Sequence, residues 1–405
     1  MAFRLALSGL NAAQADLTVT ANNIANTATA GFKGSRAEFA ELFSVSPQGV
    51  SNVAIGNGVR TSNVSQQFTQ GNIDFTDNSL DLALSGQGFF VLSDGGATAY
   101  TRAGAFQVDR DGYIVNAQNQ RLQAYPPTDA GSFNTGALSD IQLVTSESPP
   151  NATTEADLVL NLPANATAPA VTPFNPADPN TYTRATSLVT YDSLGAAHTA
   201  TLYFSKTANP NEWTTQLYVD GSAVGGANTL QYSNTGMLTS PAGGQVTFPA
   251  YAPATGAAPM NMTFNFDQTT QFGNTFNVNS VTQDGYTTGR LIGMDIDSTG
   301  VVQARFTNGR SIALGQVAIA NFANPQGLQQ LGDTSWAETF SSGQALRGQA
   351  GNSGFGLVQS GALEASNVDI TEQLVNMITA QRNFQANAQM ISTADQVTQT
   401  IINIR

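Results

Sequence analysis

The two ends of the chain carry a helical pattern of apolar residues. Near the N-terminus the apolar positions recur in alternating steps of four and three, with Gln14 as one polar interruption: Phe3, Leu7, Leu10, Leu17, Ala21 and Ile24. Near the C-terminus the same steps recur around Gln381: Ile370, Leu374, Met377, Phe384, Ala388 and Ile391. Such steps place residues in one stripe of an α-helix, as in a coiled coil. Both ends are therefore predicted to be long helices.

Each apolar stripe is about two residues in seven wide, which suits packing against other helices better than burial in a globular core. Isolated helices with few charge pairs are marginal in water, so we expect both ends to become ordered on assembly with other copies. The alternative is an ordinary helix pair within one chain. Two capping boxes are candidates for the start of the second helix, Ser366 with Asp369 and Asp369 with Glu372.

The interior of the chain has a strand-like pattern. All 16 prolines lie between Pro47 and Pro325, and apolar and polar residues alternate in several runs there. Alternation of this kind indicates half-buried antiparallel strands, and the turn residues between the runs indicate β-sandwich or barrel modules. The strand-like runs are 82–92, 99–108, 186–192, 198–204 and 213–219.

The domain organisation follows from these patterns and from proline-rich edges at 145–180 and 240–260. We predict a multidomain α+β protein, in which terminal helices form a coiled-coil-like inner domain and two mainly β domains are nested between them. The predicted parts are a helical polymerisation domain (1–33 and 363–405), an extended connector (34–69), a discontinuous inner β domain (70–144 and 285–362) and an inserted outer β domain (145–284).

Composition excludes several classes of partner. Charged residues make up only 11% of the chain, the net charge is -13, and Lys33 and Lys206 are the only lysines, so no nucleic-acid partner is expected. The absence of cysteine excludes disulfides and thiolate metal sites. No run approaches the roughly 20 apolar residues that span a bilayer, so we expect no membrane insertion. Polar residues interrupt the N-terminal apolar run, so no cleaved signal peptide is expected.

Candidate chemistry is sparse. His198 is the only imidazole, and its strand-like surroundings favour a structural or exposed histidine over a catalytic one. Asp295 and Asp297 begin a calcium-loop pattern, but Phe306 stands where the loop needs a bidentate glutamate, so a hairpin turn is the better interpretation. Gly86 and Gly88 lack the remainder of a dinucleotide fingerprint and indicate a bulge or a tight strand crossing. We therefore expect no enzyme activity, no cofactor and no metal.

Four stretches resemble the rod and hook subunits of the bacterial flagellum, a family of axial proteins. The most specific is SGLNAAQADLTVTANNIANTATAGFK at 8–33, and the resemblance centres on Asn22, Asn23, Ile24, Ala25, Asn26, Gly31, Phe32 and Lys33. The other three are LALSGQGFFVL with YTRAGAFQVDRDGYIVN, GQVAIANFANPQGL, and GALEASNVDITEQLVNMITAQRNFQANAQMIST. The insert TSLVTYDSLGAAHTATLYFSK at 186–206 resembles the outer domain of the hook branch.

The resemblance implies a structural subunit that forms a homopolymer, a flexible curved tube acting as a universal joint that transmits motor torque from rod to filament. It also implies an extracellular position in the hook, export through the flagellar type III apparatus without a cleaved signal peptide, and contacts with a hook cap scaffold protein, a distal rod protein and a hook-filament junction protein. The residues expected at the polymerisation interface are Phe3, Leu7, Leu10, Leu17, Ile24, Leu374, Met377, Phe384 and Ile391.

Two other functions remain open from the sequence. The first is a distal-rod or hook-associated subunit of the same family, which the long insert disfavours. The second is a secreted carbohydrate-binding β protein, which predicts a pocket with clustered acids and aromatic residues.

Overall fold

A computed structural model describes residues 2–42, 56–128, 131–143 and 147–403. Two compact units are present. The first comprises 1–145, 293–305 and 311–405, and the second comprises 146–292 and 306–310. Within the described residues, neither helix has a stretch that is apolar enough over sufficient length to cross a membrane.

The first unit contains the two long helices, as predicted. Helix α1 spans Ala2–Ala25, and helix α2 spans Ile370–Asn403. Asp369 is the N-cap of α2, because its Oδ1 accepts hydrogen bonds from the backbone N–H groups of Thr371 at 2.7 Å and Glu372 at 3.2 Å. These bonds satisfy donors that the first helical turn leaves unpaired. Of the two predicted caps, the structure therefore uses Asp369 and not Ser366.

The strands that precede the second unit are β1 (Ser35–Glu41), β2 (Val59–Gln66), β3 (Ile73–Phe75), β4 (Leu82–Ser85), β5 (Phe89–Asp94), β6 (Ala97–Thr101), β7 (Gln107–Val108), β8 (Ile114–Val115), β9 (Arg121–Tyr125) and β10 (Ser139–Asp140). The second unit contributes β11 (Glu155–Asn161), β12 (Arg184–Tyr191), β13 (Ala197–Lys206), β14 (Glu212–Val219), β15 (Ser222–Tyr232), β16 (Leu238–Ser240), β17 (Gln245–Thr247), β18 (Thr263–Asn265) and β19 (Asn277–Gln283). The remaining strands are β20 (Leu291–Ile296), β21 (Val301–Phe306), β22 (Ser311–Asn321), β23 (Gln329–Gly332), β24 (Ser335–Ala337), β25 (Leu346–Gln349), β26 (Leu357–Ser360) and β27 (Ala362–Glu364).

The main sheet of the first unit has the order β20-β21-β22-β9-β5-β6-β24-β23, with β7, β8, β10 and β25 paired at its sides. Its core is aromatic. Trp336 lies edge-on to Phe89 with 5.6 Å between the ring centroids, and Tyr100 lies edge-on to Phe322 with 4.8 Å between the ring centroids. Gly88 precedes β5 where a Cβ atom would lie 2.4 Å from Cγ2 of Ile319. The glycines at 86 and 88 thus mark a close strand crossing, as the sequence indicated.

The segment expected as an extended connector is an antiparallel ribbon where the structure describes it. Strands β1 and β2 pair from Ser35 opposite Gln66 to Glu41 opposite Val59, with one irregularity after Glu38. The ribbon packs on α1, because Ser8 Oγ accepts a hydrogen bond from the N–H of Val59 at 3.2 Å. Residues that look like a linker from their Ser, Gly and Asn content thus gain structure by pairing with each other.

The second unit contains two sheets around one core. One sheet has the order β12-β13-β14-β15-β16 and the other β17-β18-β11-β19. Along β14, Trp213, Thr215, Leu217 and Val219 are buried and the residues between them are half-buried, which is the predicted alternation. Buried residues of both sheets, such as Phe204 and Phe264, belong to a single cluster, so the unit is a β-sandwich with its own hydrophobic core.

Asp297 lies in the turn between β20 and β21, as predicted for a hairpin. Its Oδ1 accepts hydrogen bonds from the N–H groups of Thr299 and Val301, both at 2.9 Å. Asp295 points to Arg305 across the hairpin, with 2.8 Å between Oδ2 and Nε. The carboxylates of the calcium-like pattern are therefore engaged in a turn and a cross-strand ion pair.

Candidate assembly surface

Helices α1 and α2 pack side by side in opposite directions. Near one end of the pair, Asn23 Nδ2 donates to Gln373 Oε1 at 3.1 Å. Near the other end, Gly9 faces Asn387, and a Cβ atom at Gly9 would lie 2.4 Å from the Oδ1 atom of that residue. From Asn23 back to Gly9 is 14 residues along α1, and from Gln373 forward to Asn387 is 14 residues along α2. The two helices therefore run antiparallel. The structure thus contains the alternative arrangement, in which α1 and α2 pair within one chain.

The stripe of α1 that faces α2 consists of small and short polar side chains. Four positions of this stripe are buried, and Gly9, which is half-buried, lies close to Asn387 of α2; the four are Ala6, Ala13, Thr20 and Asn23. Small side chains allow two helix backbones to approach closely, so this pairing needs no large apolar residue from α1. The large apolar residues of α1 are consequently left for another surface.

The predicted apolar stripe of α1 is offset from this contact stripe. Phe3 is 52% exposed and Leu7 is 42% exposed, while Leu10, Leu17 and Ile24 are half-buried. The sequence pattern therefore identified a real stripe of the helix, but that stripe is not the one that pairs with α2.

The predicted stripe of α2 is divided between two faces. Met377, Phe384 and Ile391 are half-buried and flank the buried Ala380 at helical spacing, so they lie on the side toward α1. Leu374 is 46% exposed and shares its face with Ile370 and Ile378, which are also about half exposed. Ile378 was missed because it falls outside the heptad steps. Within one chain, three residues of the stripe are thus already partly covered, and their place at the polymerisation interface stays a prediction.

The exposed stripes of the two helices lie on the same side of the pair. In both helices, a residue of the exposed stripe follows a residue of the contact stripe by one position, as Leu7 follows Ala6 and Leu374 follows Gln373. One residue turns an α-helix by roughly 100°, so the exposed stripe lies about 100° around each helix from its contact stripe. Because the helices are antiparallel, equal rotations carry both stripes to one side. We call this side the assembly face, and its residues are Phe3, Leu7, Leu10, Leu17, Ile24, Ile370, Leu374 and Ile378.

Asn23 joins three elements beneath the helix pair. Besides its bond to α2, its side-chain amide donates to the Ser35 carbonyl at 2.7 Å and accepts from the Ser35 N–H at 2.8 Å. Asn26 donates to the carbonyl of Asn22 at 2.9 Å and so supports the last turn of α1. Within the run from Asn22 to Asn26, Ile24 is half-buried on the assembly face and Ala25 is exposed.

Gly31 lets the chain pass close to the sheet after α1. Its φ is 69°, and a Cβ atom there would lie 2.4 Å from the backbone nitrogen of Ala103. A residue with a side chain would be strained in this conformation and would clash with that backbone. The N–H of Gly31 donates to the carbonyl of Glu364 at 2.7 Å. The glycine therefore brings Phe32 and Lys33 to their positions against the β structure.

A buried ionic network links the end of α1 to the β structure before α2. Lys33 Nζ lies 2.6 Å from Glu364 Oε1, and Arg102 Nη1 lies 3.1 Å from Glu364 Oε2. The same carboxylate accepts the N–H of Gly71 at 2.9 Å, and Lys33 also donates to the carbonyl of Thr69 at 2.8 Å. Burial lowers the pKa of Lys33 and of Arg102, and the negative charge of Glu364 opposes that effect.

Removing one member of such a network would leave another charge buried without compensation, which is far costlier than losing an exposed pair. The network therefore fixes the chain on both sides of the helix pair to one place on the β structure. The sequence motif pointed to Lys33, but nothing in the local pattern identified Glu364 or Arg102 as its partners.

His198 occupies a separate buried site in the second unit. Its Nδ1 lies 2.6 Å from Asp220 Oδ2, and its Nε2 lies 3.3 Å from Asp192 Oδ2. Burial alone would lower the pKa of His198, but the hydrogen bonds with Asp220 and Asp192 raise it above the ordinary value. Both ring nitrogens are thus held by carboxylates. Among the described residues, no group of three or more His, Cys, Asp and Glu side chains is arranged to hold a metal ion.

Four protein-family models match the chain. They are described as Flagella basal body rod protein, matching 3–33, Flagellar hook protein FlgE/F/G D1 domain, matching 83–173, Flagellar basal body protein FlaE D2 domain, matching 161–286, and Flagellar basal body rod FlgEFG protein C-terminal, matching 359–404. The matches thus cover both helical ends and most of the β structure between them.

Relatives are similar over the whole chain. The flagellar hook protein FlgE of Escherichia coli K12 is 39% identical over 100% of both chains, and that of Borreliella burgdorferi is 34% identical over 98% of both. The crystal structure of the Helicobacter pylori flagellar hook protein FlgE2 superposes with a TM-score of 0.56 at 14% identity, covering 72% of this chain and all of that one. This structural likeness supports the fold.

Proposed function

Because the chain belongs to the flagellar hook protein family and is a structural subunit of the hook, we propose that its copies polymerise through the assembly face. The observation that carries this proposal is that Phe3, Leu7 and Leu374 remain exposed although α1 and α2 are already paired. Burying one such side chain contributes roughly 1.5–3 kcal/mol. A neighbouring copy that covers the face would gain this contribution several times over.

The contact between copies is heterologous, because the assembly face meets a different surface of the next copy. Repetition of a heterologous contact produces an open helical array when its rotation does not close into a ring. Such an array is a tube that grows by adding subunits at one end. The intramolecular pairing of Met377, Phe384 and Ile391 gives each copy a preformed helix pair for this contact.

The specific protein partners expected from the family are part of the same proposal. A hook cap scaffold protein covers the growing end, a distal rod protein lies at the base and a hook-filament junction protein lies at the far end. The flagellar type III apparatus exports the chain without cleavage of a signal peptide. The mature tube is extracellular.

Torque transmission through a bend requires contacts between copies that exchange at low cost. Only 11% of the residues are charged, while neutral hydroxyl and amide side chains are abundant. Contacts between neutral polar groups are exchanged through water without breaking ion pairs. A catalytic role is not part of this proposal, and His198 acts in it as a structural group that joins two acidic turns.

A first experiment tests the assembly face. Leu7→Asp or Leu374→Asp should prevent polymerisation of purified protein while leaving circular dichroism and thermal unfolding nearly unchanged, because both side chains are exposed before assembly. Asn383→Asp is the matched control, since Asn383 is exposed on the side of α2 away from the assembly face. Electron microscopy and sedimentation report the polymer. Normal tubes from Leu7→Asp and Leu374→Asp would refute the proposal.

A second experiment tests the division between the proposed domains. Replacing 145–284 by a short flexible linker should permit tube formation but change the curvature of the tubes, because the sandwich core lies within that segment and the helix pair lies outside it. Failure of a folded deletion protein to polymerise would show that the inserted domain takes part in nucleation.

A further inference from the structure

The cluster around His198 joins the two sheets of the second unit. His198 lies on β13, Asp192 in the turn after β12 and Asp220 in the turn after β14, so all three belong to one sheet. Tyr251 lies in the loop 249–260, which is part of the connection between β17 and β18 of the other sheet. The ring centroids of Tyr251 and His198 are 5.9 Å apart. One buried histidine thus contacts groups from both sheets.

The loop 249–260, which we call the latch loop, is fastened at its tip to the turn after β12. Thr255 Oγ1 donates a hydrogen bond to Asp192 Oδ2 at 2.8 Å. The N–H of Ala258 donates to Ser193 Oγ at 2.9 Å. The tip is therefore held by two hydrogen bonds, and one of them ends on the same carboxylate oxygen that faces the imidazole.

The base of the latch loop is held in a different way. Tyr251 and Met260 exchange two backbone hydrogen bonds, at 2.9 and 2.8 Å, and the N–H of Phe248 donates to the Met262 carbonyl at 3.0 Å. Phe248, Met260 and Met262 are buried in the core of the sandwich. The base thus depends on backbone pairing and apolar burial, so the tip is able to open while the core stays closed.

The two contacts of the imidazole require a proton on each ring nitrogen. His198 Nδ1 lies 2.6 Å from Asp220 Oδ2, and Nε2 lies 3.3 Å from Asp192 Oδ2. A neutral imidazole has one N–H donor and one bare nitrogen, and an ionised carboxylate only accepts hydrogen bonds. A bare nitrogen that faces a carboxylate makes no bond with it. Both contacts are therefore hydrogen bonds only while the ring is positively charged.

Loss of the proton affects Asp192 more than Asp220. The contact with Asp192 is the longer of the two, and Asp192 is fully buried, whereas the Asp220 side chain is 42% exposed. In the described parts of the chain, the ion pairs of both carboxylates are made only with His198. A buried carboxylate without a positive neighbour is costly. Because Thr255 is exposed and bonded to the same oxygen of Asp192, moving the loop tip aside admits water to that carboxylate.

The other titratable groups that face His198 keep their charge near neutral pH. Burial alone would raise the pKa of Asp192 and of Asp220, but their hydrogen bonds lower both below the ordinary value, so both stay negative. Burial and the negative charge of Asp220 raise the pKa of Tyr251, so the phenol stays neutral. Among these groups, His198 is the one that changes charge in the neutral range.

We propose that His198, Asp192 and Asp220 form a proton-dependent latch, which holds the tip of the latch loop while the imidazole is charged and releases it when the Nε2 proton leaves. Hydrogen bonds with the carboxylates raise the pKa of His198 above its ordinary 6.5, so the latch is closed below that pH and opens as the pH rises through the raised pKa. The latch gives the second unit a surface that responds to the acidity of its surroundings. It does not depend on the proposed polymerisation.

NMR and hydrogen exchange on the full-length monomer test the latch. His198 is the only histidine of the chain, so isotope-labelled histidine reports its titration without ambiguity. The amide of Ala258 reports the loop tip and the amide of Met260 reports the base, each corrected for the intrinsic exchange rate at that pH. Protection of Ala258 should fall over the pH range in which His198 titrates, by roughly tenfold for each unit by which its pKa exceeds the ordinary value. Protection of Met260 should stay constant.

A pair of threonine substitutions separates the latch from general loosening of the loop. Thr255→Val removes the donor to Asp192 with little change of shape, so exchange of Ala258 should become faster even at acid pH. Thr247→Val is the matched control, because Thr247 Oγ1 is hydrogen-bonded at 3.0 Å to Thr263 Oγ1 between β17 and β18 and has no bond to the cluster. The control should leave both the exchange of Ala258 and the titration of His198 unchanged.

Two substitutions in the cluster test the coupling to the proton. His198→Gln should make the corrected exchange of Ala258 independent of pH. Asp220→Asn removes a negative charge beside the imidazole and should lower the pKa of His198. The opening of the loop tip should then move to the same lower pH as the titration.

Contrary results would overturn the latch in distinct ways. A pKa of His198 at or below the ordinary value would mean that the carboxylates do not hold its proton. Equal loss of protection at Ala258 and Met260 would show that the second unit loosens as a whole. An opening that stays in place when Asp220→Asn shifts the titration would show that the proton does not control the loop. Failure of the wild-type chain to polymerise would refute the proposed function instead, since the latch is measured on the monomer.

Discussion

The terminal helix pair and the sandwich of the second unit use apolar residues in opposite ways. The sandwich encloses its large side chains, including Trp213, Phe248 and Phe266, in one core. The helix pair buries small residues between its helices and leaves Phe3, Leu7 and Leu374 exposed. A protein that folds for its own stability needs the first arrangement, whereas a subunit that must join others benefits from the second. The contrast therefore separates stability from assembly within one chain.

Removing part of the helix pair should have the largest effect. Deletion of 385–405 takes away the C-terminal part of α2, including its contact with Gly9 through Asn387. We expect complete loss of polymerisation, measured by sedimentation and electron microscopy, while the unfolding transition of the second unit is unchanged. Tubes of normal length from this truncated chain would contradict the division between the two regions.

Breaking the buried ionic network should destabilise the first unit alone. Glu364→Ala leaves Lys33 and Arg102 buried without their carboxylate, which should lower the free energy of unfolding by ~3–5 kcal/mol. Asp295→Asn is the matched control, because its pair with Arg305 is about half exposed and should contribute no more than ~1 kcal/mol. Calorimetry that resolves the two units measures both variants. Equal losses would contradict the assignment of the network as a fixed support.

Two adjacent positions of α1 distinguish its contact stripe from its assembly face. Ala13→Leu introduces a large side chain between the helices and should destabilise their pairing by ~1–3 kcal/mol, seen as faster hydrogen exchange in α1. Gln14→Leu extends the exposed apolar stripe and should leave exchange unchanged while lowering the critical concentration for polymerisation. If both substitutions behaved alike, the offset between the two stripes would have no functional meaning.

The smallest expected effect is a pH dependence confined to the second unit. Hydrogen bonds with Asp220 and Asp192 outweigh burial and raise the pKa of His198, so the folded state binds its proton more tightly than the unfolded state. This stabilisation is fully present below about pH 6.5, the ordinary pKa, and is lost as the pH rises through the raised pKa.

The melting temperature of the second unit should therefore fall as the pH rises through that window. His198→Gln should flatten the profile, because glutamine keeps hydrogen-bonding capacity without titrating. Tyr251 also faces His198 and Asp220, so the measurement stays below the ordinary pKa of tyrosine, about 10. A wild-type melting temperature that rises through the window would contradict the assignment.

The sequence predicted much of the fold because local patterns determine local elements. Steps of three and four residues between apolar positions predicted α1 and α2, and Asp369 was one of two predicted N-caps. The alternation of apolar and polar residues at 213–219 predicted β14. The partners of Lys33 could not be predicted in this way, because Glu364 is 331 residues away and Arg102 has no distinguishing context. A buried charge reveals its partner only when the chain is folded.

The sequence by itself therefore determined the class of protein, the two terminal helices, the alternating strands and an apolar stripe on each helix. Only the tertiary structure decided which stripe would be used within the chain and which would remain exposed. The physical reason is that helix pairing depends on how closely two backbones approach. Gly9, Ala6 and Ala13 permit that approach, and hydrophobicity alone ranks them below Phe3 and Leu7, the residues that they leave free for another copy.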